Sequence, residues 1–328
     1  MEVIEKSKEL LENNEKAWVD NYTQHAQLAI EAIQKIEYRR RNFRNWGKLR
    51  AYMSISRIND EKTPFSLRFK GQEVADIIVD DNDDDVFVKI SGKKSEELQE
   101  YFSVKIPAGR YPWRGPVGDK LRSMYNKRKL QSAESSFHAD VLDEMVKDTK
   151  SDKFCNTFSN IRPAVPKIGK KDLNIRIQFP VPLKAHDGVP ELRKHGNLDI
   201  LARIGNGGGT RLGVIELKSE VPKGKSMEST ICQSLIYATC VRYLVRNKKM
   251  GSNWYKLYGF NGKIRKNLRI HSIIMFPDEF DIGWDIYCNA LKNLGCSTNN
   301  RLIPIEGEDE IELGYMTLRK RFSVIRYN

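Results

Sequence analysis

The chain contains no CxxC pair. Its five cysteines, at 155, 232, 240, 288 and 296, are scattered through 328 residues. An odd, dispersed set excludes a disulfide framework and predicts reduced thiols in a cytoplasmic, reducing compartment. Cys232 and Cys240, eight apart on an expected helix, read as buried core residues. No run of eighteen apolar residues occurs, so no membrane-spanning helix and no membrane partner are expected. The opening MEVIEKSKELLENNEKAW has no apolar stretch, so no secretory signal is expected. His25, His138, His186, His195 and His271 show no metal-ligand spacing, and neither HExxH nor a nucleophile elbow occurs. The run Gly205-Asn206-Gly207-Gly208-Gly209 lacks a following Walker lysine and precedes a strand pattern, so it predicts a turn and not a phosphate loop. There is no internal repeat and no low-complexity tract.

Cationic charge is abundant. Lys and Arg number 56 against 43 Asp and Glu, a net charge of +13. Such an excess favours a polyanionic partner, because each cation placed at a phosphate releases condensed counterions. A hydrophobic content of 40% still supports a core large enough for a chain of this length.

Three regions follow from pattern. Residues 1–107 read as an appendage. It opens with one long helix closing at Tyr38-Arg39-Arg40-Arg41-Asn42-Phe43-Arg44-Asn45-Trp46 and Gly47, and continues with the short strands AYMSISRI, FSLRFK, EVADIIVD and DVFVKI. The acidic run Asp80–Asp85 reads as a solvated turn, since the glycine and terminal glutamate of a calcium loop are missing. Residues 108–127 form a basic Gly/Pro-rich linker. Residues 128–328 read as α/β: a helix at 131–149, a strand at 173–180, a hairpin at 197–218 and a helix at 226–247. A strand at 268–276, a helix at 281–294 and a strand at 310–318 close the region.

The chemistry concentrates in the hairpin and the helix after it. Asp199 lies in the first apolar strand, and the second strand, Leu212-Gly213-Val214-Ile215, ends in Glu216-Leu217-Lys218. On a strand, residues two apart project to one face, so Glu216 and Lys218 share a face and Asp199 can lie beside them. Charges at the end of a buried strand are not what stability alone selects. Two hard-oxygen carboxylates, the Leu217 carbonyl and an amine are what Mg²⁺-assisted phosphodiester hydrolysis requires, with Mn²⁺ as a substitute. Gln233 and Tyr237, at i and i+4, share one face of the next helix.

These residues resemble the PD-(D/E)XK nuclease superfamily, the restriction-endonuclease-like fold. Its core runs helix, three strands, helix, strand, with an acid on the second strand, E-x-K on the third and often a glutamate on the first helix. Asp199 takes the place of the first acid, although Asn197-Leu198 precedes it in place of proline. Glu216 and Lys218 match E-x-K. The resemblance implies Glu134 as the helix glutamate, with Glu144 as runner-up. Gln233-Ser234-Leu235-Ile236-Tyr237 is similar to the QxxxY signature of the RecB-like branch. The four-cysteine spacing of that branch's iron–sulfur staple is absent, so no cluster is expected. The resemblance implies a restriction-endonuclease-like α/β core in which Glu134, Asp199, Glu216 and the Leu217 carbonyl hold one or two Mg²⁺ ions. Lys218 would activate water, and Gln233 and Tyr237 would support the geometry. It further implies a deoxyribonuclease of restriction, antiviral defence or DNA processing.

Two basic clusters carry interleaved aromatics and are expected to contact DNA. The first includes Arg39, Arg40, Arg41 and Arg44. The second includes Arg110, Arg114, Lys120, Arg122, Lys127, Arg128 and Lys129. The appendage is expected to set specificity, to form a homodimer or to bind a partner protein. Two alternatives share these features: a non-catalytic nucleic-acid-binding protein on the same fold, and a ribonuclease.

Overall fold

A computed structural model describes the chain apart from residues 39–45, 59–63, 80–85, 125–132, 148–160, 169–170, 173–174, 222–223, 278–279, 299–300 and 319–328. The chain forms two compact units. The first comprises Met1–Gln24, Val141–Ala164 and Phe179–Asn328, and the second comprises His25–Asp140 and Val165–Gln178. Two helices open the chain, α1 (Glu2–Asn13) and α2 (Glu15–Tyr38). The single long helix expected there is therefore broken at Asn14, and its expected cationic end falls outside the described residues.

The second unit contains β1 (Arg50–Ser54), β2 (Phe65–Phe69), β3 (Gln72–Val79), β4 (Val86–Ile90), α3 (Gly92–Phe102), β5 (Gly109–Pro112) and α4 (Pro116–Arg122). The helix α5 (Ala133–Lys147) follows, and both α2 and α5 carry residues of each unit. The sheet runs in the order β5-β4-β3-β2-β1 and continues into a short strand, Arg176–Gln178, parallel to β1. Strand alternation separates its faces. Ala51, Met53, Leu67, Ala75, Ile77, Val88 and Ile90 are buried on one side. Arg50, Arg68, Asp76, Lys89 and Arg110 occupy the other by register. Lys70 and Gly71, both at positive φ, make the two-residue turn between β2 and β3. The four expected strands form. The expected linker instead carries β5 and α4, and α3 is an element that the sequence pattern did not predict.

The first unit is α/β around a mixed six-stranded sheet. Its strands include β6 (Ile161–Pro163), and between them and the hairpin lie the short β7 (Lys167–Ile168), β8 (Lys171–Asp172) and β9 (Arg176–Gln178) of the other unit. Then come β10 (Pro180–His186), β11 (Val189–Asn197), β12 (Ile200–Ile204), β13 (Arg211–Leu217), α6 (Lys225–Arg246), α7 (Gly251–Leu257), β14 (Arg269–Pro277), α8 (Phe280–Asn293), β15 (Leu302–Glu306) and β16 (Asp309–Leu318). The sheet order is β15-β16-β14-β13-β12-β6. The strands β13, β14 and β16 run parallel, joined by helical crossovers, while β12 pairs antiparallel with β13. The strand expected at 173–180 is divided: Arg176–Gln178 pairs in the second unit, and Pro180 begins a hairpin with β11. On its side away from β13, β12 pairs antiparallel with β6.

α6 is buried almost all round because it packs against β10, β13, β14 and α1. Ile231, Leu235, Val241 and Leu244 fill this core, Cys232 and Cys240 are buried there, and the Ser234 and Ser272 hydroxyls bond at 2.7 Å across the helix–sheet interface. The four described cysteines, Cys232, Cys240, Cys288 and Cys296, are unpaired. Among the described residues, no helix is long and apolar enough to cross a membrane.

Candidate active site

The β12–β13 hairpin builds the site. Its turn places Gly205 and Gly207 at positive φ, conformations that glycine adopts without a Cβ clash. The antiparallel register pairs Ile200 with Ile215, so one further step sets Asp199 opposite Glu216 on the same face. Asp199 Oδ2 accepts a hydrogen bond of 2.9 Å from the Leu217 backbone N–H, which locks the carboxylate across the strand end. Leu217, the expected carbonyl ligand, is thereby held by its own amide. The Lys218 N–H donates to the Met275 carbonyl at 3.0 Å, so the parallel pairing with β14 holds the backbone where the side chains diverge.

Lys218 Nζ lies 2.8 Å from Glu216 Oε1 and 3.5 Å from Gln233 Oε1, and Gln233 Nε2 lies 3.5 Å from the Tyr237 hydroxyl. The hairpin and α6 therefore bring Asp199, Glu216, Lys218, Gln233 and Tyr237 into one chain of contacts. Exposure divides their roles. Glu216 is 2% exposed and Tyr237 4%, while the Lys218 side chain keeps 27% and Asp199 is half-buried. Lys218 and Asp199 face outward, and Glu216 and Tyr237 form the floor.

Electrostatics distinguish this floor from a closed ion pair. Burial, and next the charge of Asp199, push the Glu216 carboxyl up to about 8, against the lowering influence of Lys218. A hydrogen bond between the two carboxyls contributes in the same direction. Burial, followed by the charge of Glu216, pushes the Tyr237 hydroxyl up to about 12. A backbone hydrogen bond with Ala185 of β10 also holds that hydroxyl. At Glu216 the neighbouring ammonium of Lys218 does not offset burial and the charge of Asp199. Adjacent carboxylate oxygens are hard donors of the kind that a divalent cation such as Mg²⁺ takes. Among the described residues, no group of three or more His, Cys, Asp and Glu side chains could hold a metal.

The remaining expected residues separate. Glu134 lies in the part of α5 belonging to the second unit, and its side chain is outside the described residues. Glu144, on the same helix but in the first unit, is half-buried. Arg39, Arg40, Arg41, Arg44, Lys127, Arg128 and Lys129 also lie outside the described residues. Arg114 and Lys120 are exposed, and Arg110 is exposed with its guanidinium carbon 4.2 Å from the Phe87 ring centroid. Arg122 is occupied: it lies 4.6 Å from the Trp113 ring centroid, donates to the Trp113 carbonyl at 3.1 Å and pairs with Asp119. The amide of Leu217 and the backbone of Ala185 complete the site. No sequence signal could have found them, because backbone donors are the same at every residue.

No protein-family model, no curated protein and no solved structure matches the chain.

Proposed function

We propose that the protein is a divalent-metal-dependent deoxyribonuclease with a restriction-endonuclease-like core in its first unit. The observation that carries this reading is the buried Glu216, close enough to Asp199 to share a hydrogen bond and 2.8 Å from the amine of Lys218. The sheet supports the same reading. An antiparallel hairpin carries the acids, a helix crosses over, and β14 returns parallel to β13. Structural stability does not explain a buried carboxylate facing a second carboxylate, since like charges in a low-dielectric site raise the free energy of the ionised pair. Perturbed carboxylates of this kind concentrate at functional sites.

Asp199 and Glu216 hold the hard-oxygen face of the site, with Glu134 or Glu144 as the candidate third carboxylate. Bound Mg²⁺ would supply charge neutralisation and a more acidic water. Lys218, whose side chain keeps 27% of its exposure, orients the attacking water and stabilises charge developing on the phosphate. Gln233 anchors the Lys218 amine, and Tyr237 anchors Gln233. The net charge of +13 favours the polyanionic substrate.

The test is incubation of plasmid and linear DNA, with labelled RNA in parallel, in Mg²⁺ or Mn²⁺. Wild type should cut DNA, with chelator abolishing cutting. Glu216→Ala and Lys218→Ala should each lower the rate about a hundred- to a thousandfold, the range lost with a principal electrostatic group. Glu134→Gln and Glu144→Gln in the same assay identify the third carboxylate. DNA binding without cutting in any metal would move the protein to a non-catalytic binding role, and cutting confined to RNA would make it a ribonuclease.

A further inference from the structure

From Ser229 to Pro277 the chain carries nine Lys and Arg and no Asp or Glu. The fold brings acids from elsewhere to five of the nine. Arg242 pairs with Glu306 and Asp309, Arg246 with Asp309, Lys249 with Asp20, Lys266 with Glu308 and Arg269 with Glu310. Lys248, Lys256, Lys263 and Arg265 form no ion pair among the described residues. Lys256 and Lys263 are exposed, and Arg265 is half-buried.

Three of these cations border a pair of arginines on the sheet. β12 pairs antiparallel with the edge strand β6, and the register sets Arg203 directly opposite Arg162, so the two side chains share one face. Like charges directly opposite one another oppose strand pairing. Arg162 forms no ion pair among the described residues. The guanidinium carbon of Arg203 lies 5.2 Å from the Phe260 ring centroid, within cation–π range. Phe260 stacks on Tyr255 with centroids 4.7 Å apart and planes 17° apart, and both rings are buried. The Phe260 N–H donates to the Tyr255 carbonyl at 3.1 Å and the Gly259 N–H to the Lys256 carbonyl at 2.9 Å, so the turn after α7 fixes the stack and keeps Lys256 beside it. Burial pushes the Tyr255 hydroxyl up, while Arg265, Arg203 and Arg246, in that order, pull it down. Arg265 therefore stands on the Arg203 side of the stack, and Arg246 is committed to Asp309. Arg211 projects from the opposite face of the sheet, near Glu310 and Glu312, and takes no part.

We propose that Arg162, Arg203, Lys256, Lys263 and Arg265 form a docking surface for the phosphate backbone of DNA at the β6 edge of the sheet. The surface is separate from the candidate active site. Asp199 and Arg203 share a face of β12, about 13 Å apart at strand rise, with the buried Leu201 between them. It requires no catalysis, so it holds whether or not the protein cuts. Charge complementarity identifies the occupant. Guanidinium groups take phosphate oxygens bidentately, and an anion set between Arg162 and Arg203 removes their repulsion. The Tyr255 and Phe260 rings are buried and offer no face to a base, so the surface holds the backbone without reading sequence.

The test uses the full-length protein without metal, so that nothing is cut, and a labelled DNA duplex followed by fluorescence anisotropy over a salt series. Lys256→Gln/Lys263→Gln/Arg265→Gln removes three cations and leaves the sheet untouched. It should bind about ten- to a hundredfold more weakly at about 0.1 M salt, and its log–log salt slope should flatten by about 2 to 3, near 0.9 for each lost phosphate contact. Arg162→Gln should weaken binding and at the same time raise the thermal midpoint of the DNA-free protein, because the cross-strand repulsion is gone. DNA should raise the midpoint of wild type more than that of either variant. Lys292→Gln, at an exposed lysine of α8, should match wild type. Wild-type affinity and slope in a triple variant that keeps its thermal midpoint overturn the surface. So does displacement of DNA by polyglutamate as readily as by unlabelled DNA of equal charge. A lowered midpoint with unchanged binding in Arg162→Gln makes that arginine structural and overturns the paired-arginine core of the surface. Cutting, assayed separately in Mg²⁺, decides the nuclease reading alone: a wild type that binds with this slope and never cuts leaves the surface standing.

Discussion

Glu216 and Asp309 are buried to the same extent, 2% exposed each, in the same unit, yet their protonation diverges. Asp309, at the β15–β16 turn, accepts from Arg242 Nε at 2.9 Å, Arg246 Nε at 2.8 Å and the Leu268 N–H at 2.8 Å. Burial alone would raise its pKa, but the Arg246, Leu268 and Arg242 bonds outweigh it and hold the carboxylate below its usual range. Glu216, at the end of β13, has one Lys and a second carboxyl beside it, and it titrates near 8. Burial therefore does not mark a functional acid. Asp309 is a closed staple tying α6 to the sheet edge, whereas Glu216 is an open site short of a cation.

The largest expected effect tests the closed end of this contrast. Asp309→Asn should destabilise the protein by about 3 kcal/mol in chemical denaturation, because the buried Arg242, left with Glu306 alone, and the half-buried Arg246 lose the carboxylate they share. A loss below about 1 kcal/mol would mean that the arginines find solvent instead, and Asp309 would cease to differ from a surface pair.

The next effect reverses in sign. Folded Glu216 binds a proton more tightly than it does unfolded, so stability falls as pH rises from the ordinary glutamate range through about 8. Metal-free protein should lose about 3 kcal/mol between pH 5 and pH 8 from this group. Glu216→Gln should remove that loss, raising the thermal midpoint at pH 8 and leaving it near wild type at pH 5. Mg²⁺ or Ca²⁺ should restore the wild-type midpoint at pH 8 and do nothing for the variant. A wild-type midpoint independent of pH over this window would show Glu216 to be compensated like Asp309.

The smallest effect concerns support. Tyr237→Phe removes a hydroxyl 3.5 Å from Gln233 and should cost under about 1 kcal/mol of stability. Cutting should slow by several-fold with KM unchanged, since the ring remains as core. A thousandfold loss would instead put the hydroxyl in contact with the reacting phosphate.

Much of the site was legible because its signals are local. Glu216 and Leu217 end a strand that Lys218 follows directly, Gln233 and Tyr237 share a helix face, and the glycine run between the strands makes the approach of Asp199 to Glu216 the natural closure of the hairpin. β1–β4, β12–β14 and β16 were legible for the same reason, since period-two alternation appears in any short window, whereas β5, β6 and β15 are too short or too polar to show it. α3 escaped because GKKSEELQEYF has few apolar residues in its first two turns. Its start depends on the Ser91 side chain accepting from the Lys94 N–H at 3.3 Å. The split of residues 173–186 between two sheets escaped too. Strand propensity says that a segment will pair, and says nothing of which neighbour it takes.

The chain by itself determined the strands with clear alternation, the helices with apolar periodicity, the charge excess and the order of the acidic and amine side chains. Tertiary structure alone decided that burial and the charge of Asp199 push the Glu216 carboxyl up, while the bonds from Arg246, Leu268 and Arg242 hold Asp309 down. Those outcomes follow from desolvation and from charges brought within a few ångströms by long-range pairing. Neither exists until distant segments close on one another.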